Sequence, residues 1–119
     1  KKKLLILLFS AFVMLFACKK KQNIPSHIIA PDIYTEILTD ILLAEANHKV
    51  ALRNEIHSER MLDSSYRYIY HQHGVEAEEV DSSFRYYTNH PDVLLGITEK
   101  VLDNLHKMEE KKAKEQEEE

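Results

Sequence analysis

The sequence predicts an all-α fold, a small bundle of about four amphipathic helices. Apolar residues recur at the 3.6-residue spacing of a helix in four separate segments. Only two glycines and three prolines occur in 119 residues, too few for the many tight turns of an all-β protein. The length is that of one domain. Together these observations favour a single helical body.

The first two predicted helices have recognisable ends. The first begins at Pro31, because proline suits the first helical position, and fades near Arg53. The second begins near Ser58, a suitable N-cap, and ends at His73, where Gly74 can take the left-handed C′ conformation. The stripes expected to face the core are Ile33, Ile37, Leu38, Ile41, Leu42 and Ala44 in the first helix, and Leu62, Tyr66, Ile69 and Tyr70 in the second.

The third predicted helix covers residues 76–89, and the fourth begins at Pro91. His90 separates them, because the residue before a proline avoids helical angles. Residues 109–119 are charged and polar on every side, so we expect this tail to be frayed or disordered. The expected inner stripes are Val80, Phe84 and Tyr87 in the third helix, and Leu94, Ile97, Val101, Leu105 and Met108 in the fourth.

The N-terminal segment is organised like a secretory signal. Three lysines, residues 1–3, precede thirteen residues, 4–16, that are apolar except for Ser10. A helix of that length spans about 20 Å, less than the roughly 30 Å of a membrane's hydrocarbon core. We therefore expect a signal sequence, with a short membrane anchor as the alternative.

Residues 15–18, Leu-Phe-Ala-Cys, resemble the lipobox of bacterial lipoproteins. The small Ala17 admits a peptidase to the following bond, and the thiolate of Cys18 is a nucleophile that can take up a diacylglyceryl group. Cys18 is the only cysteine, so no internal disulfide accounts for it. The resemblance implies cleavage before Cys18, acylation of its sulfur and new amino group, and anchoring in a membrane.

The chain therefore divides into four predicted parts. Residues 1–17 are the signal peptide, 18–30 the lipidated cysteine and a tether, 31–108 the helical domain, and 109–119 the charged tail. The tether begins with three lysines, residues 19–21, which either contact anionic headgroups or form a solvated spacer.

The charge balance argues against nucleic acid as a partner. The formal charge is −4, and loss of the three lysines of residues 1–3 with the signal would leave 13 basic against 20 acidic residues. Nucleic-acid phosphates require a basic face. The expected partners are a membrane, through lipid on Cys18, and an envelope protein, with no nucleic acid and no small-molecule substrate.

Four residues are candidates for contacting a partner, and each has an alternative role. The two carboxylates lie in the first helix and could instead pair with Arg67 or Arg85 of a neighbouring helix, or face solvent. The two tyrosines combine apolar area with a hydroxyl, which suits an interface, but they could equally be core or ordinary surface residues. The candidates are Asp40, Glu45, Tyr68 and Tyr86.

A six-residue pattern occurs twice. Residues 63–68, Asp-Ser-Ser-Tyr-Arg-Tyr, recur eighteen residues later as residues 81–86, Asp-Ser-Ser-Phe-Arg-Tyr. Two copies are too few for a solenoid. The pattern indicates two similar helices packed as a hairpin, or a chance resemblance.

No motif predicts catalysis. His71 and His73 are two positions apart, which places their side chains about 200° apart on a helix and makes a shared metal ion difficult. Neither a Gly-rich phosphate loop nor a nucleophile elbow is visible. We predict no enzymatic activity, no cofactor and no metal site.

Five segments form an ordered set of landmarks along the chain, residues 37–46, 73–75, 81–87, 90–91 and 101–102. In that order they resemble a domain-of-unknown-function family of small lipoproteins from the Bacteroidota. The resemblance covers most of residues 24–108 and implies an all-helical envelope lipoprotein with no assigned activity. One departure is Glu76, where the family often has Ser or Thr, which weakens the expected N-cap of the third helix.

Two functional hypotheses follow. The first is a membrane-anchored binding or scaffolding module for another envelope component, and the alternative is a periplasmic chaperone or export accessory that holds unfolded clients. Surface lipoproteins of these bacteria often carry acidic residues after the cysteine, whereas residues 19–21 are lysines here. That resemblance implies attachment to the outer membrane facing the periplasm, with surface display or inner-membrane retention as alternatives.

Overall fold

The computed structural model describes residues 1–3, 23–53 and 59–117, with the side chains of residues 51–60 excepted. The predicted signal segment, Cys18 and the predicted N-cap Ser58 lie outside the described residues. The predictions made for them stay predictions.

The described body consists of four α-helices and contains no strand within residues 23–53 and 59–117. The helices are α1 (Pro31–Arg53), α2 (Glu59–His73), α3 (Ala77–Thr88) and α4 (Pro91–Glu117). The predicted all-α bundle is therefore confirmed. Helix α1 packs against both α2 and α4, and α3 packs against α4.

The helix ends follow from local chemistry. Gly74 has a φ of 64°, the left-handed conformation predicted for the C′ residue of α2, and the Val75 N–H reaches the Tyr70 carbonyl at 3.0 Å as in a Schellman motif. Helix α3 begins after Glu76, whose N–H donates to the Glu79 carboxylate at 2.9 Å. This half of a capping box compensates for the missing Ser or Thr.

The core forms where all four helices contribute apolar side chains. Tyr34 and Tyr87 are almost fully buried and their ring centroids are 4.9 Å apart, a favourable separation for aromatic packing. Thr35 and Thr39 are also buried, and each hydroxyl donates to the carbonyl four residues earlier. The buried apolar residues of the helices are Tyr34, Ile37, Ile69, Val80, Tyr87, Ile97 and Val101.

Residues 24–30 form part of the body, and we call this segment the strap. Ile28 and Ile29 are buried in the core, and the strap turns where the Ile28 N–H donates to the Pro25 carbonyl at 3.0 Å. The prediction of a tether over residues 18–30 was therefore wrong for residues 24–30. Burial of each of its two adjacent isoleucines stabilises the body by about 1.5–3 kcal/mol. A solvated spacer would not gain this free energy.

Most residues of the predicted stripes are buried or packed against the core, but four of them are exposed. Phe84 is exposed, because the buried face of α3 is formed by Val80, Ser83 and Tyr87 and the Phe84 side chain lies outside that face. The small Ser83 occupies the position at which the strap approaches the helix. The other predicted core residues found exposed are Ile33, Leu42 and Met108.

The charged tail continues as helix α4 to Glu117, although residues beyond 105 are exposed. The prediction that it frays was wrong. Lys, Glu and Ala are strong helix formers, and ion pairs four residues apart support the helix, with Lys107 on Asp103 at 2.6 Å and Lys111 near Glu115 at 3.9 Å.

The two copies of the six-residue pattern lie on α2 and α3, but these helices are not a closely packed pair. The hairpin interpretation was therefore wrong. Helix α2 lies along α1, whereas α3 lies against α4 and the strap.

Candidate functional site

A groove of about 780 Å³ lies between α1 and α2. Its volume falls in the range of ligand-binding clefts, and we call it the α1–α2 groove. Its lining repeats every three to four residues along both helices, which is the spacing of one helix face. The lining residues are Asp40, Leu43, Ala44, Asn47, His48, Met61, Leu62, Ser64, Ser65, Tyr68, Ile69 and Gln72.

The middle of the groove is apolar. Leu43 and Ala44 of α1 face it, and Leu62 and Ile69 line the opposite wall on α2. At the α2 edge, Tyr68 is 65% exposed and Met61 is 47% exposed. Exposed apolar side chains that share one concave surface are typical of a site that another molecule covers.

Polar groups are distributed along both walls. Asn47 and His48 lie on α1, and Ser65 and Gln72 lie on α2. Within the described part of the chain, the buried Nδ1 atom of His48 has no hydrogen-bond partner. A buried nitrogen without a partner costs about 1–3 kcal/mol, so His48 is under-satisfied in the wall of the groove.

Asp40 lies at one end of the groove and is held by α2. Its carboxylate is 2.8 Å from His73 Nε2, and Glu36 is 3.9 Å from the other ring nitrogen. The predicted alternative partners, Arg67 and Arg85, both pair within their own helices instead. Asp40 therefore joins α1 to the C-terminal end of α2 while remaining half-exposed.

Glu45 accepts a hydrogen bond from the Tyr66 hydroxyl at 2.8 Å, so an arginine partner was the wrong alternative here too. Burial raises the pKa of Tyr66 to about 12, and the bond to the Glu45 carboxylate adds to the rise. Tyr66 also stacks on Tyr70, with centroids 6.4 Å apart. Glu45 is thus a structural contact and does not line the groove.

The two candidate tyrosines lie in different surroundings. Tyr68 lines the groove. Tyr86 is half-buried, because its ring stacks on His90 at 4.0 Å and meets the edge of Tyr87 at 5.3 Å. The structure therefore brings Asp40 and Tyr68 together in one groove and leaves Glu45 and Tyr86 in other contacts.

The strap occupies a comparable face on α3. The Ile29 N–H donates to Ser83 Oγ at 2.9 Å, and the Tyr87 hydroxyl donates to the Ile29 carbonyl at 2.6 Å. Ser83 Oγ also donates to the Glu79 carbonyl at 2.7 Å. The N–H and the C=O of one non-helical residue are thus both satisfied by α3. The sequence analysis did not predict this contact. Two adjacent isoleucines, Ile28 and Ile29, within the predicted tether could have indicated that this part of the segment is buried.

A smaller cleft of about 370 Å³ lies between α1 and α4. Asp32, Glu36 and Asp103 give it an acidic lining, and Lys100 bridges to Asp32 at 2.6 Å. Among the described residues, no group of three or more His, Cys, Asp or Glu side chains could hold a metal ion. The α1–α2 groove has about twice the volume of this cleft and an apolar centre, so it is the better candidate site.

Comparisons with known proteins match the chain to one family model. The model is described as "Domain of unknown function (DUF4296)" and covers residues 25–111, so it includes most of the strap, helices α1 to α3, the groove and α4 as far as Lys111. Searches of curated proteins and of solved structures found no match. In the described ranges, no helix combines the length and apolar character needed to cross a membrane.

Proposed function

The chain belongs to the DUF4296 family, a domain of unknown function, and from this premise we propose that it is a lipid-anchored envelope protein that binds another envelope component. The α1–α2 groove is the observation that carries the proposal. It is open, apolar at its centre and edged by the exposed side chains of Met61 and Tyr68.

The proposed anchor is lipid on Cys18. Support comes from the lipobox-like residues 15–18 and from the thirteen-residue apolar segment before them. The lysines of residues 19–21 favour outer-membrane attachment facing the periplasm, in line with the resemblance described above. We also propose that the protein is one of the small lipoproteins of the Bacteroidota.

Metabolic labelling with a fatty acid tests the anchor. We expect label on the wild-type protein and none on the Cys18→Ala variant, which should also leave the membrane fraction. Equal labelling or equal membrane retention of the two proteins would contradict the proposed lipidation.

A matched pair of substitutions tests the groove. Tyr68 and Phe84 are both exposed aromatic residues of the repeated pattern, at 65% and 60%, but only Tyr68 lines the groove. In pull-downs from cells carrying the anchored protein, Tyr68→Asp should lose a stoichiometric partner that Phe84→Asp keeps. The groove hypothesis fails if both variants retain the partner or both lose it.

A periplasmic chaperone is the second candidate. An open groove that contains the flexible side chain of Met61 can repack around different apolar sequences. The mature protein should then suppress aggregation of a denatured client at equimolar ratio, and Tyr68→Asp should suppress it less. A flat result with the wild-type protein rejects this function.

A further inference from the structure

The repeated pattern places α2 and α3 in an exact register of eighteen residues. In that register Ser65 corresponds to Ser83, Leu62 to Val80 and Ile69 to Tyr87. With the exception of Gln72, the α2 residues that line the groove therefore correspond to positions on one face of α3. That face of α3 includes the positions that hold the strap, through Ser83 and Tyr87.

Ser65 and Ser83 make the same hydrogen bond within their own helices. Ser65 Oγ donates to the Met61 carbonyl at 2.8 Å, and Ser83 Oγ donates to the Glu79 carbonyl at 2.7 Å. A hydroxyl that donates once keeps lone pairs for accepting. On α3 that acceptor takes the N–H of Ile29, whereas on α2 Ser65 faces the open groove.

We propose that the α1–α2 groove binds an extended apolar segment of another envelope protein, as α3 binds the strap. One backbone N–H of the segment donates to Ser65 Oγ, and adjacent apolar side chains occupy the space beside Leu43, Leu62 and Ile69. This inference rests on the proposed binding function and specifies the form of the ligand.

The polar lining favours an extended segment over a helix. A helix satisfies its own backbone, while an extended chain brings N–H and C=O groups that need partners. Ile69 has no hydroxyl to replace that of Tyr87, so a donor to the bound carbonyl must come from elsewhere. The amide of Asn47 on the facing wall is the candidate donor.

Crosslinking in cells tests the form of the ligand. A benzophenone amino acid is placed at Met61 or at Tyr68 of the full-length protein, with position 84 as the exposed control outside the groove. Positions 61 and 68 are about 10.5 Å apart along α2, at 1.5 Å per residue. An extended segment covers that distance in about three residues, and a helix needs about seven.

Mapping the crosslinked partner residues decides between the possibilities. Two crosslinks three or four residues apart in one partner, and none from position 84, support the proposal. A separation near seven residues, a lipid adduct, a second copy of this chain, or no crosslink at all overturns it. The pull-down distinguishes failure of this inference from failure of the proposed function. If Tyr68→Asp loses the partner but the crosslinks have helical spacing, the ligand is not extended and the proposed binding function still stands.

Ser65→Ala tests the hydrogen bond itself. The variant should weaken partner binding by roughly two- to tenfold, the loss expected for one hydrogen bond. Thr98→Ala is the control, because Thr98 makes the same kind of bond to the carbonyl four residues earlier, at 2.9 Å, on α4 away from the groove. Equal binding by both variants would remove Ser65 from the proposal.

Discussion

Helices α2 and α3 contain nearly the same six residues but differ in what covers them. Their local contacts are identical in kind. The arginine of each copy pairs with the aspartate four residues earlier, and the second serine of each copy donates to the carbonyl four residues earlier. Such contacts depend only on helix geometry, so the same sequence gives the same result twice.

The surroundings of the two copies differ. Ser83 is completely buried beneath the strap, whereas Ser65 is half-buried at the open groove. The fourth residue of the pattern is Tyr66 bonded to Glu45 in α2 and the exposed Phe84 in α3. The comparison shows that the pattern fixes a helix and its surface pairs, while the neighbouring segment determines which face is buried.

Alkaline pH should have the largest effect, because it acts on the core beside the strap. Burial raises the pKa of Tyr34 and Tyr87 to about 12 from an ordinary value of about 10. Since the folded state favours the neutral phenols, their contribution to stability is complete below pH 10 and is lost as the pH rises from 10 to 12. Circular dichroism should lose its helical signal in that range, as the last of the six tyrosines ionise. Ionisation of all six tyrosines with the helices intact would contradict this.

Truncation of Tyr87 should have the next largest effect. Tyr87→Ala removes a completely buried ring and the donor to the Ile29 carbonyl, so we expect a loss of about 3–5 kcal/mol in the free energy of unfolding. Tyr68→Ala, on the uncovered helix, should change it by less than about 0.5 kcal/mol. Urea denaturation measures both. Similar losses would mean that the groove side is as fully packed as the strap side.

The two serines provide the closest comparison. Ser83→Ala leaves the buried Ile29 N–H without its acceptor, at a cost of about 1–3 kcal/mol. Ser65→Ala removes only a hydroxyl that bonds within its own helix, and it should alter stability by less than about 0.5 kcal/mol. Both variants can be measured by the same denaturation assay. Equal losses would show that coverage by the strap does not distinguish the two copies.

The smallest effects are expected for the two arginines. Among the residues that the structure describes, the exposed Arg67 and Arg85 form ion pairs only with aspartates of their own helices. Arg67→Ala and Arg85→Ala should therefore each cost under about 0.5 kcal/mol. Thermal melts at low and high salt would measure the loss. A much larger cost for one arginine would reveal a tertiary role that the comparison excludes.

Much of the fold could be predicted from local signals. Pro31, Gly74 and the His90-Pro91 step mark helix ends because each restricts backbone angles in a known way. The end of α4 could not be predicted from polarity alone, because a polar segment rich in Lys and Glu can form a helix without burial.

The candidate site was harder to predict. Tyr68 and Asp40 were identified by chemical type, but the partners of Asp40 and Glu45 depend on how α1 meets α2, which helical periodicity does not specify. His73 and Tyr66 are those partners. Ser83 was not predicted for the same reason, since its role depends on the strap, whose Ile29 N–H donates to its hydroxyl.

The strap also limits where the body can stand. With residues 24–30 folded into the core, a lipid on Cys18 would be connected by only the five residues 19–23. Fully extended, that connection is about 20 Å long, roughly half the extended length of the thirteen-residue tether that was predicted. If Cys18 is lipidated as proposed, this connection keeps the body close to the membrane surface. Its binding partner should therefore be embedded in the same bilayer or rest on its surface.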